Sequence, residues 1–155
     1  MASILIAYAS MSGNTEEIAD HIMSVFKDYE HSVTLDEMEE LEPQDLLNYD
    51  AVLLGSYTWG DGDLPYEVEE FYEEMEELDL AGLPAASFGS GDTSYPKFCE
   101  AVNLFENRLQ ECGATIVQKG FKIEMALNVK EDYEQCTAFA RSFLDNMNGQ
   151  NRIAT

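Results

Sequence analysis

Ile4, Leu5, Ile6 and Ala7 stand side by side with no polar residue among them, and Ala51, Val52, Leu53 and Leu54 repeat the pattern. A strand with one face in water alternates apolar and polar residues. Runs that do not alternate belong to strands buried on both faces, as in a parallel sheet covered by helices. Helical patterns follow them. Ile18, Ile22, Val25 and Phe26 fall at i, i+4, i+7 and i+8, one apolar stripe. Val68, Phe71, Tyr72, Met75 and Leu78 mark a helix over 66–78, and Phe98, Val102, Phe105 and Leu109 another over 97–111. A last helix over 131–147 is expected to bury Tyr133, Cys136, Ala140, Phe143, Leu144 and Met147. Pro43 suits the first position of a short helix over 44–47. Further strands are expected at 31–35, 85–88 and 114–123, the last broken at Gly120. Five strands thus alternate with five helices. That predicts an α/β fold: a doubly wound, five-stranded parallel sheet with helices on both faces. One domain over 1–147 is expected, followed by a polar tail over 148–155.

In such sheets ligands sit beyond the carboxyl ends of the strands, so the loops there are where chemistry is sought. The loop after the first strand reads Ser10, Met11, Ser12, Gly13, Asn14, Thr15. Its hydroxyls can donate hydrogen bonds, and Gly13 lets the backbone turn its N–H groups inward. A helix follows at once, and its N-terminus carries unsatisfied N–H groups and partial positive charge. Together these make a phosphate site. The ordinary alternative is a turn capped by Asn14 with Glu17 in the first helical turn. The loop after the third strand, Tyr57, Thr58, Trp59, Gly60, Asp61, Gly62, Asp63, holds the only Trp. The loop after the fourth contains Ser90, Gly91, Asp92, Thr93, Ser94 and Tyr95. Trp59 and Tyr95, on different loops of one rim, can sandwich a flat π-system.

Other chemistries lack their residues. The first loop has no Lys for a GxxxxGK[ST] phosphate loop, and Gly89 to Ser94 misses the third glycine of a dinucleotide fingerprint. His21 and His31 lie far from the rim loops, so no nucleophilic triad forms. Cys99, Cys112 and Cys136 show no metal-binding spacing, and Cys112 and Cys136 fall where small buried hydrophobes belong. The N-terminal run is too short and broken for a signal peptide, and no stretch reaches membrane-span length, so a cytoplasmic location is expected.

The three loop motifs, in order and at the right strand ends, resemble those of flavodoxins, and the resemblance covers nearly the whole chain. With no insertion in the fifth strand, it is to the short-chain type. The resemblance implies the strand order 2-1-3-4-5 and FMN as cofactor at the switch point between strands one and three; both are borrowed from the family. It also implies residue roles. Ser10, Met11, Ser12, Gly13, Asn14 and Thr15 would cradle the phosphate, with Thr58 helping to close the site. Met11 replaces the family's small polar residue, so only its backbone would count. Trp59 and Tyr95 would lie on opposite faces of the isoalloxazine. Backbone groups around Ser90, Gly91 and Asp92 would meet its pyrimidine edge. The Gly60 carbonyl, next to Asp61, would accept a hydrogen bond from N5–H of the one-electron-reduced flavin.

Charge sets the expected chemistry and partners. The chain has 31 acidic and 8 basic residues, a net charge of −23. From Asp28 to Asp92 there are 20 carboxylates and no Lys or Arg. Nucleic acid and anionic membranes are excluded as partners, because both need cations on the protein. Redox proteins with basic docking surfaces, a flavodoxin reductase and acceptor enzymes, are expected instead. The expected function is a monomeric, low-potential one-electron carrier that cycles through a stabilised neutral semiquinone and has no substrate of its own. The alternative is an FMN-dependent NAD(P)H:quinone reductase, which needs room on the flavin that two stacked rings would take. A receiver domain shares the topology, but the first and third strands end in Tyr8-Ala9-Ser10 and Gly55-Ser56-Tyr57, without its acidic cluster.

Overall fold

The computed structural model describes residues 2–154, with side chains through Met147. The elements are β1 (Ser3–Ala9), α1 (Asn14–Asp28), β2 (Ser32–Glu37), β3 (Ala51–Ser56), α2 (Tyr66–Glu74), β4 (Pro84–Gly91), α3 (Glu100–Glu111), β5 (Thr115–Ile116), β6 (Phe121–Glu124) and α4 (Lys130–Ala154). All strand pairs are parallel, and the order is β2-β1-β3-β4-β5, with β6 also on β4. This is the doubly wound architecture that the apolar runs predict.

Successive side chains of a strand point to opposite faces, and the two cores divide accordingly. Ile4, Ile6, Tyr8 and Leu53 face α1 and α4, where Phe26 and Phe143 stack with centroids 5.7 Å apart. Leu5, Ala7, Val52 and Leu54 face α2 and α3, against Val68, Phe71, Phe105 and Leu109. Arg108 of α3 reaches α2 on that side. Its guanidinium lies 3.9 Å from the Tyr72 ring centroid and donates to the Tyr72 carbonyl at 2.6 Å. Its Nη2 also lies 3.5 Å from Glu76 Oε1, just past the end of α2, so this buried cation meets the acidic run there.

Several boundaries differ from expectation. The fifth strand is in two pieces, β5 and β6. Between them Gly120 N–H donates to Glu106 Oε1 and the Val117 carbonyl accepts from Asn146, which draws both backbone groups away from the ladder. The short helix after Pro43 is a 3₁₀ segment, Pro43–Asn48, closed by reciprocal bonds between Glu42 and Asp45. α2 ends at Glu74 and tightens into a 3₁₀ turn over Met75–Glu77. α3 begins at Glu100, because Cys99 takes a left-handed φ of 53° that a helix cannot include. Tyr133 is exposed; its hydroxyl is 3.4 Å from Glu17 Oε1. α4 runs on to Ala154, beyond the expected end at Met147, and the side chains of 148–155 lie outside the described residues.

The central strand pair tolerates no Cβ at Gly55, where one would lie 2.2 Å from the ring of fully buried Phe88. Gly55→Ala is therefore expected to destabilise the fold by about 1–3 kcal/mol through overpacking. Urea unfolding at constant m-value checks this, and an unchanged midpoint would mean that the Phe88 ring has room to move.

Candidate functional site

β1, β3 and β4 are neighbours in the sheet, so the loops at their carboxyl ends share one rim. The first loop leads into α1. Its N-cap residue is Gly13, not Asn14, with φ 89° and no side-chain cap. A Cβ at Gly13 would meet nothing within 4 Å, so glycine is required there for its dihedral and not for space. Glu17 N–H donates to the Gly13 carbonyl at 3.0 Å, the first bond of the helix. The N–H groups of Asn14, Thr15 and Glu16 stay outside the helical ladder. The capping alternative through Asn14 and Glu17 does not form. Ser10 Oγ accepts the Gly13 N–H at 3.0 Å and rounds the loop. Met11 is exposed (67%), as is Ser12.

Thr15 is fully buried, and its Oγ1 lies 3.1 Å from Oγ of Ser90, which is buried near the end of β4. This hydroxyl pair joins the start of α1 to the end of β4, which runs past the expected Phe88 to Gly91, across 75 residues of sequence. Tyr8, below the first loop, donates to Glu16 Oε2 at 3.1 Å. Burial, then the Glu16 hydrogen bond, pushes its phenol up to about 12.

After β3 the chain passes Tyr57 and Thr58 into a short hairpin. Trp59 and Asp63 exchange N–H···O=C bonds of 2.8 and 3.0 Å, with Gly60 and Gly62 at φ 53° and 98° between them. Trp59 is half exposed (54%). A groove of about 870 Å³ runs along the hairpin, with Met11, Trp59, Leu64 and Tyr66 in its walls and Glu67 and Glu73 beside them. Tyr57 donates to Glu67 Oε1 at 2.7 Å, and burial and that carboxylate hold its phenol well above its ordinary value. Thr58 Oγ1 accepts the N–H of Ala101 in α3 at 3.0 Å, so its oxygen is engaged with that helix while its proton stays available. Asp61 Oδ1 accepts the Lys97 N–H at 3.2 Å.

In the fourth-strand loop, Asp92 Oδ1 accepts the Ser94 N–H at 2.8 Å and the Asp92 carbonyl accepts the Tyr95 N–H at 3.1 Å. Hydrogen bonding from Ser94 holds the Asp92 carboxyl below its ordinary value. Tyr95 is exposed (44%). Gly91 backs onto buried Cys99, where a Cβ would lie 2.8 Å from Sγ. Burial pushes the Cys99 thiol up to about 11, which keeps it protonated at neutral pH. A turn that carries no signal in the sequence completes this wall. Met125 N–H donates to the Gly91 carbonyl at 2.8 Å, and Thr93 Oγ1 donates to Glu124 Oε1 at 2.6 Å. Met125 has φ 60° without being glycine, so no residue type marks the turn. His21 and His31 are structural: His21 Nε2 is 2.7 Å from Thr137 Oγ1, and His31 Nδ1 accepts the Ala2 N–H at 3.1 Å. Among the described residues no group of His, Cys, Asp or Glu could hold a metal ion, and no helix is long and apolar enough to cross a membrane.

A family model described as Flavodoxin matches residues 6–139. The chain belongs to the flavodoxin family. It is 56% identical over 144 residues to "Probable flavodoxin 1" of Bacillus subtilis, covering 93% of this chain and 91% of that protein. Among solved structures, oxidised Flavodoxin 2 from Bacillus cereus superposes with a TM-score of 0.91 at 56% identity, over 93% of this chain and 99% of that one. A short-chain flavodoxin associated with a bacterial microcompartment gives a TM-score of 0.90 at 28% identity, over 95% and 99% of the two chains. Flavodoxins are electron-transfer proteins whose cofactor is FMN, and this chain matches the short-chain type.

Gly13 offers a direct test of the loop geometry. Gly13→Ala places a Cβ in a left-handed conformation and is expected to cost about 1–2 kcal/mol of stability. Chemical denaturation checks this; an unaltered midpoint would place Gly13 in an ordinary conformation.

Proposed function

We propose that the three rim loops hold FMN and that the protein carries single electrons between redox proteins at low potential. The observation that carries the reading is the uncapped N-terminus of α1, joined by the Thr15–Ser90 hydroxyl pair to a loop bearing an exposed aromatic ring. The donor set fits FMN. The loop from Ser10 through Met11, Ser12, Gly13, Asn14 and Thr15 suits its phosphate through open backbone N–H groups and the exposed Ser12 hydroxyl, with Thr58 proposed to help close the site. The Thr15 hydroxyl, buried against Ser90, braces the loop from behind. The loop itself, Ser10 to Thr15, holds no Lys or Arg, so within it the helix terminus and hydroxyls carry that task. Trp59 and Tyr95 suit the two faces of the isoalloxazine. Backbone groups of Ser90, Gly91 and Asp92 suit its pyrimidine edge, and the Gly60–Asp61 peptide suits N5.

FMN supplies the electron chemistry; the chain orients the ring and sets its energy. The Gly60–Asp61 peptide would govern the hydrogen bond at N5. Gly60 has a positive φ and open space at its Cβ position, so its carbonyl can turn toward the ring at little steric cost. A carbonyl there accepts a proton-bearing N5 and rejects a bare one, which favours a stabilised neutral semiquinone. The surrounding charge opposes a second electron. One carboxylate about 10 Å away costs on the order of 1.7 kcal/mol at an effective dielectric of about 20, roughly 70 mV for one electron. Asp61, Asp63 and Asp92 all lie on rim loops. The same acidic surface suits docking to basic faces of a flavodoxin reductase and acceptor enzymes. We read the chain as a monomeric, cytoplasmic protein of one domain over 1–147 with a polar end. The reductase alternative gains little from the comparisons: the relatives matched over most of their own length are named flavodoxins, and an NADPH-dependent diflavin oxidoreductase of Emericella nidulans is matched over only 19% of its length.

Anaerobic reductive titration of the FMN-loaded protein is expected to build up the blue neutral semiquinone before full reduction. Passage straight to the two-electron form would contradict one-electron carriage. Electron transfer to a basic c-type cytochrome is expected to slow as ionic strength rises, since a Debye length of about 10 Å at 0.1 M screens the acidic face. A rate indifferent to salt would remove charge from the docking account.

A further inference from the structure

α3 begins without a cap of its own. Cys99 occupies its N-cap position and makes no side-chain cap bond. The orphan N–H of Ala101, the second residue of the helix, is satisfied from the neighbouring rim loop by Thr58 Oγ1 at 3.0 Å. Three residues beyond Thr58, Asp61 Oδ1 accepts the Lys97 N–H at 3.2 Å. Directly after Asp61, the Lys97 side chain packs on Gly62 so closely that a Cβ there would lie 2.5 Å from its Cδ. The Trp59 hairpin is thus fastened at its base, tip and flank to the run that directly follows Tyr95. Gly60 alone is left loose, with nothing within 4 Å of its Cβ position.

We propose that Thr58 and Asp61 are positioning residues whose side-chain oxygens clamp the Trp59 hairpin to the Tyr95 segment and set the width of the slot between the two rings. The proposal rests on the reading that FMN lies between Trp59 and Tyr95. The clamp has two consequences. It holds the slot open at a fixed width before the flavin enters, so less ordering is needed on binding. It also confines movement of the hairpin to the Gly60–Asp61 peptide, because both flanking points are held. Asp61 then acts through its acceptor oxygen, a role distinct from that of its negative charge.

Paired variants of the full-length, FMN-loaded protein separate these roles. Thr58→Val removes the acceptor at constant shape, and Thr58→Ser keeps it. Asp61→Ala removes both acceptor and charge, whereas Asp61→Asn removes the charge and keeps an acceptor. The readouts are the rate of FMN release on dilution, followed by free-flavin fluorescence, and amide hydrogen exchange at Ala101 and Lys97. Loss of a hydrogen bond of ordinary strength is expected to speed FMN release about fivefold in Thr58→Val and Asp61→Ala. Exchange at Ala101 should rise in the first and at Lys97 in the second, and Thr58→Ser and Asp61→Asn should restore both readouts. Asp61→Asn behaving like Asp61→Ala would assign the effect to charge and overturn the clamp. Faster exchange with unchanged FMN release would overturn it too, since the bonds would then not set the slot. A wild-type chain that retains no FMN would sink the underlying reading, a result told apart because exchange at Ala101 and Lys97 reports the two bonds without flavin.

Discussion

The uncapped N-terminus of α1 is the constraint on which the rest of the rim depends. Gly13 takes a conformation that other residues resist, and no side chain supplies the capping oxygen that most helices use. Donors left open in this way are stabilised by an anion and are otherwise left to water. The fold places them well. β1 has β2 on one side and β3 on the other, so α1 starts where the sheet changes direction and neighbouring helices diverge.

Hydrogen bonds then turn three separate loops into one surface. Thr15 and Ser90 join the start of α1, behind the first loop, to the end of β4, while Thr58 and Asp61 join the third-strand loop to the segment after Tyr95. Behind them the glycines allow close approach: Gly55 against Phe88, Gly91 against Cys99. Rigid strands bring the loop ends together, and short polar side chains fix the spacing that remains. Charge is layered on top. The acidic residues cluster on α2 and the loops near the rim, where they affect the energy of an added electron and the approach of a partner.

What could be read from the sequence follows from the range of the interactions concerned. Ile4 to Ala7 and Ala51 to Leu54 announce buried strands because burial on two faces writes itself into consecutive residues. The phosphate loop is legible because its glycine and hydroxyls are contiguous. The start of α3 was not, because it depends on Cys99 taking a left-handed φ, a dihedral that its residue type disfavours. The split of the last strand depends on Glu106 and Asn146, far along the chain, competing for backbone groups near Gly120. Tyr133 fits the apolar stripe of α4 by spacing, yet its ring sits at the exposed start of the helix. The Thr15–Ser90 pair spans 75 residues, and Met125 carries no mark of the turn it makes. Contacts of this kind leave no local pattern.

The most direct test of the account compares the affinities of the apo-protein for FMN and for riboflavin, which differ only in the phosphate. If the open N–H groups of α1 and the adjoining hydroxyls hold that phosphate, even two charge-assisted hydrogen bonds make FMN bind about a hundredfold tighter or more. Equal affinities would mean that the N-terminus of α1 holds no phosphate, and the organising role given to it here would be wrong.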